Sequence, residues 1–77
     1  MSREQIEACV QDSLAAYFKD LDGEAPHDLH VMMMQCVERP LLAFVLNQAD
    51  NNQSKAAQWL GLNRNTLRKK MLDLGLS

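Results

Sequence analysis

The sequence predicts an all-α fold of four helices per chain. The first two helices build a homodimer core, and the last two form a C-terminal helix-turn-helix. Three observations lead there. Apolar residues recur three and four apart along most of the chain. Two Pro, three Gly and few β-branched residues suit helix better than strand. Residues able to cap a helix, Ser2, Asp28, Asn52 and Asn63, stand just before the periodic segments. Seventy-seven residues make one domain at most, and a monomer of that size buries little of its surface.

The first helix is expected over about 3–21. Ser2 and Gln5 form a capping box, and Met1 and Ile6 sit at the positions of a hydrophobic staple. Ile6, Val10, Leu14, Tyr17, Phe18 and Leu21 follow as one apolar stripe. Asp22 and Gly23 end it, and Pro26 keeps the next residues out of helix.

The second helix, about 29–49 with Asp28 as its N-cap, is apolar on two sides. Leu29, Met33, Cys36, Val37, Leu41, Phe44 and Val45 make one stripe. Val31, Met34, Leu42, Leu46 and Ala49 make another. A helix apolar around most of its circumference is buried on most sides, and one short chain lacks the helices to cover it. A homodimer with a four-helix core is the economical solution, with Met33, Val37, Leu41, Leu42 and Val45 expected at its interface. Pro40 removes a backbone donor and crowds the carbonyl of Cys36, so it either kinks this helix or splits it. Apolar spacing stays in phase across it, which favours the kink.

Two short helices close the chain. Asn52 caps one over about 53–60, with Ala56, Ala57 and Leu60 as its packing face. Gly61 supplies the positive φ of the turn, and Leu62 plugs it. Asn63 caps the last helix, about 64–74, which Gly75 ends. Leu67, Met71 and Leu74 face inward, leaving Arg64, Asn65, Arg68 and Lys69 outward.

That layout is suited to double-stranded DNA. In a helix-turn-helix the second helix lies in the major groove, with its first residues nearest the base edges. Here those are Asn63, Arg64, Asn65 and Thr66. Arginine reads guanine through O6 and N7, and asparagine can do the same to adenine. Arg68, Lys69 and Lys70 can reach phosphates along the groove. Asn52 and Ser54 can hydrogen-bond phosphate at the start of the preceding helix.

Charge agrees with this division. Net charge is −2, but residues 1–50 carry a balance of −6 and residues 51–77 a balance of +4. A basic end on an acidic body is an electrostatic footprint for a polyanion, though a solvated helix face could carry the same lysines. The domain therefore reads as a dimerisation part, 1–50, and a DNA-binding part, 51–77.

Other chemistry is not expected. Cys9 and Cys36 are far apart, in no CxxC spacing, and suit small apolar filler in a reducing cytoplasm. Met32, Met33 and Met34 point about 100° apart on a helix and cannot converge on one ion, so core packing is expected of them. His27 and His30 flank Asp28 at a loop–helix junction without a third ligand nearby, so no metal or other cofactor is expected. No membrane span is expected, because Gln35, Glu38, Arg39 and Pro40 interrupt the apolar stretches before ~18–20 residues. No catalytic set, paired carboxylates or glycine-rich phosphate loop points to an enzyme or a small-molecule substrate.

Glu38–Leu46 (ERPLLAFVL), Asn52–Ala57 (NQSKAA) and Gly61–Lys70 (GLNRNTLRKK), with Leu14–Leu21 and Asp22-Gly23, resemble the Fis family of bacterial nucleoid-associated, DNA-bending proteins. The resemblance covers nearly all of the chain and includes Pro40. It implies an intertwined homodimer in the bacterial cytoplasm, on the nucleoid. It also implies recognition helices too close together for straight DNA, so that bending and indirect readout favour easily deformed A/T-rich site centres. The family's DNA contacts fall on Asn52, Ser54 (threonine is usual), Asn63, Arg64, Thr66, Arg68, Lys69 and Lys70, with Arg64 as the main base reader. There are two departures. Only Met1 and Ser2 precede the first helix, so the DNA-invertase contact made by an N-terminal hairpin arm in well-known members is not expected. Leu72 and Asp73 stand where lysines would be usual, and Asp73 should repel phosphate.

Two further readings remain. The DNA-binding C-terminal domain of an enhancer-binding transcriptional activator shares this fold but follows a large ATPase domain, whereas this chain opens on Met1 and its own capping box. A helical protein-interaction adaptor would use the acidic body and leave the last helix merely solvated.

Overall fold

A computed structural model of the chain describes residues 2–76. Among them there are four helices and no strand: α1, Arg3–Leu21; α2, Leu29–Gln48; α3, Gln53–Leu60; and α4, Arg64–Asp73. The expected ends at 49 and 74 each fall one residue earlier, and the other six agree.

Ser2 Oγ accepts the Gln5 backbone N–H at 3.4 Å and donates to Glu4 Oε2 at 3.2 Å. The serine half of the expected capping box is thus formed. The staple expected of Met1 lies outside the described residues. α1 ends through two left-handed residues, Asp22 and Gly23, at φ 51° and 91°.

Asp28 precedes α2 but does not cap it with its side chain. Its φ is 54°, left-handed, whereas a capping side chain needs the extended backbone of an ordinary N-cap. The carboxylate lies instead 3.7 Å from His27 Nδ1, both side chains exposed. α2 runs unbroken through Pro40, so the split into two helices is not adopted.

The core lies at one end of the molecule. Leu42, Leu46 and Ala49 pack with Ala56 and Ala57 of α3, Leu67 and Met71 of α4, and Leu74, flanked by Val45, Leu60 and Leu76. Alanines at 56 and 57 let α3 sit close in this cluster, and Ala56 is 0% exposed. Leu42 corrects an expectation. At 1% exposure it is enclosed by its own chain and is not free for a partner. The stripe containing Leu42, Leu46 and Ala49 is the one that meets α3 and α4. Both stripes are equally apolar, so periodicity could not assign it.

The other half of the chain is open. α1 has no buried residue. Ile6, Phe18, Val31, Met34, Val37, Leu41 and Phe44 are all exposed large apolar residues. Met34 and both cysteines are exposed too, so the packing expected of them does not occur within one chain. The radius of gyration is 15.0 Å, against roughly 11 Å for a compact chain of this length.

α2 also revises the membrane expectation. By length and composition, Leu29–Gln48 is apolar enough to cross a membrane, with mean hydropathy 1.4. Glu38 and Arg39 fall at its midpoint, however, and a central charge of that kind costs about 2.5–3.5 kcal/mol to insert. Glu38 is moreover paired with Lys70 of α4.

Candidate nucleic-acid interface

The α3–turn–α4 unit is fixed by local chemistry at each joint. Asn52 is extended, and its Oδ1 accepts the Lys55 N–H at 3.1 Å. Gly61 ends α3 at φ 73°, in the left-handed region that glycine enters without a Cβ penalty. The Leu62 N–H then returns to the Ala57 carbonyl at 2.9 Å, drawing Leu62 half-buried into the turn. Asn63 is extended again, and its Oδ1 accepts the Asn65 N–H at 2.8 Å.

These joints aim α4. Leu67 is 0% exposed, and Met71 and Leu74 are buried behind it. On a helix of 3.6 residues per turn, that anchors one face and presents the opposite one. Arg64, Asn65, Thr66, Arg68 and Lys69 are all exposed, as are Asn52, Ser54 and Asn63. Neither α3 nor α4 has an acidic residue in its first turn. The partial positive charge of each N-terminus is therefore uncompensated, and at α4 it adds to the charge of Arg64. The arrangement can receive a polyanion.

Lys70 differs from the other expected site residues. It is half-buried, and its Nζ lies 2.8 Å from Glu38 Oε2. Asp73, expected to repel phosphate, lines grooves beside α2 along with Lys70, Glu38 and Arg39. Sequence reasoning also passed over Trp59, which is 54% exposed with Lys55 Nζ 5.3 Å from its ring centroid. Its signal was available in the four-residue spacing on a helix whose inward positions are already filled. Among the described residues, no three His, Cys, Asp or Glu side chains come together to hold a metal.

The fold and site define a small helical protein with a basic, solvent-facing helix near its C-terminus. The family model described as bacterial regulatory protein, Fis family, matches residues 34–74. A Fis-like DNA-binding protein of Ralstonia nicotianae is 57% identical over 76 residues, 99% of each chain. One of Neisseria meningitidis is 51% identical over 71 residues, 92% of this chain and 90% of its own. The DNA-binding protein Fis of Actinobacillus succinogenes is 39% identical over all of this chain and 78% of its own. The chain belongs to the Fis family.

Proposed function

We propose that the chain is a homodimeric DNA-binding and DNA-bending regulator of the bacterial nucleoid. The observation that carries this is α4. It turns Arg64, Asn65, Arg68 and Lys69 to solvent from a buried seat of Leu67 and Met71, in a family whose relatives are named as DNA-binding proteins. α4 is the recognition helix of a helix-turn-helix and enters the major groove. Arg64 and Asn65 meet base edges, and Thr66, Arg68 and Lys69 run along the phosphates. Asn52, Ser54 and Asn63 hold backbone phosphates from the helix starts.

Residues 1–50 supply the dimer. The free side of α2, with Met33, Val37, Leu41 and Phe44, and the uncovered stripe of α1 are apolar surface that a second copy buries. Val45, partly buried against the core, borders that side, and Leu42 is left out of it. An intertwined pairing brings two recognition helices onto one DNA face, closer together than successive grooves of straight DNA. The duplex bends to meet both, and A/T-rich site centres that deform easily are preferred.

Titration of a duplex at several salt concentrations tests the DNA reading. Log affinity falls steeply and linearly with log salt if α4 releases counterions from phosphates. No binding at low salt would rule the reading out, and would favour an adaptor whose basic helix is only solvated.

A further inference from the structure

The basic run of α4 does not all face one way. Lys70 stands on the flank turned to α2, one helical turn before the buried Leu74. Glu38 stands on α2 one turn before the buried Leu42. The ammonium and carboxylate meet at 2.8 Å, with side chains 34% and 28% exposed. The two helices otherwise leave a groove of about 430 Å³ between them, lined by Val31, Met34 and Gln35 on one side and Asp73 and Leu74 on the other. The closely packed helix pairs of the chain are α3 with α4 and α2 with α3. The Glu38–Lys70 pair therefore lies at the polar edge of the α2–α4 seam, outside the buried cluster of Leu42, Leu46, Met71 and Leu74.

Asp73 follows the same division. It lines the α2-side groove that holds Lys70 and Glu38, and a second groove that holds Arg39. The α2-facing flank of α4 thus carries both signs of charge opposite both signs on α2. Arg64, Arg68 and Lys69 carry one sign toward solvent.

We propose that Lys70 is a positioning residue rather than a phosphate contact, and that its ion pair with Glu38 sets the pose of the recognition helix on the dimer helix. The proposal rests on the DNA-binding reading. A dimer that bends DNA is sensitive to this pose, because the tilt of each α4 on its α2 fixes how the two recognition helices meet the duplex. Lys70 already has its counter-charge, so it contributes little to counterion release. Loss of either partner loosens α4 without removing any group that touches DNA.

The two roles predict opposite signs for one variant. If Lys70 is a phosphate contact held back by Glu38, Glu38→Gln frees it and tightens binding. If the pair positions α4, Glu38→Gln weakens binding. The experiment measures affinity for one duplex across a salt series for wild type, Glu38→Gln, Lys70→Met and the swap Glu38→Lys with Lys70→Glu, with circular dichroism reporting folding.

The expected result is a loss of about threefold to fivefold for each single variant, as for a partly exposed ion pair. The log–log salt slope stays at the wild-type value, and the swap recovers binding to within about twofold of wild type. A tighter or unchanged Glu38→Gln overturns the proposal. So does a Lys70→Met slope flattened by about 1.8, the value of one lost phosphate contact in each of the two chains, or a swap that recovers nothing while folded. If wild type itself binds no duplex at low salt, the DNA reading falls and the positioning role with it. Salt-dependent wild-type binding lost on Arg64→Ala, beside a tighter Glu38→Gln, removes the positioning role alone.

Discussion

Asn63 Oδ1 accepts a 2.8 Å hydrogen bond from the backbone N–H of Asn65, so one proposed DNA-contacting side chain is also the cap of α4. Only its amide NH2 remains to donate to a phosphate. The two duties separate by substitution. Asn63→Asp keeps the capping oxygen, and stability in urea stays within about 0.5 kcal/mol of wild type. DNA binding weakens, because a donor is lost and a negative charge faces phosphate. Asn63→Ala loses about 1 kcal/mol of stability as well. Equal DNA affinity for Asn63→Asp and wild type would show that the side chain only caps.

Gly61 gives a cleaner backbone test. A Cβ built there meets nothing within 4 Å, yet φ is 73°. Gly61→Ala is therefore costly through conformation alone, by about 1–2 kcal/mol. Thermal denaturation measures it. An unchanged midpoint would mean that the turn relaxes out of the left-handed region.

Phe44 tests the dimer. It is 66% exposed in one chain, and on a helix of 100° per residue it lies opposite Leu42, beside Met33 and Val37. Phe44→Asp is nearly neutral for a protein that works as a monomer. In a dimer it removes about 1.5–3 kcal/mol of apolar burial per chain and buries a charge. Sedimentation at low micromolar concentration is expected to give a dimer for wild type and dissociated chains for the variant. A folded wild-type monomer would refute the reading of α2.

Arg64 and Lys69 separate specific from general binding. Arg64→Ala costs about 1–3 kcal/mol more on a preferred site than on a random duplex if its guanidinium pairs with guanine. Lys69→Ala weakens both about equally and flattens the salt slope. Equal losses on both duplexes for Arg64→Ala would make it a phosphate contact.

Local features of the fold were the legible ones. Asn52, Gly61 and Asn63 act on their own backbone or on residues two to four positions away, so their residue types announce their conformations. Leu67, Met71 and Leu74 were legible because the residues between them, all polar except Leu72, leave α4 one main face to bury. α2 is different. Both stripes are apolar, and which one meets α3 depends on how the chain returns after Gln48, so Leu42 could not be assigned from spacing. Asp28 fits an N-cap by type, but its left-handed backbone turns the carboxylate toward His27. The Glu38–Lys70 pair joins residues 32 positions apart, and no periodicity records such a meeting.

Circular-permutation gel shifts on an A/T-centred site, run with a titration of stoichiometry, test the central claim most directly. The account predicts two chains per duplex and a mobility that falls as the site moves toward the centre of the fragment. One chain per duplex, with mobility independent of site position, would contradict it.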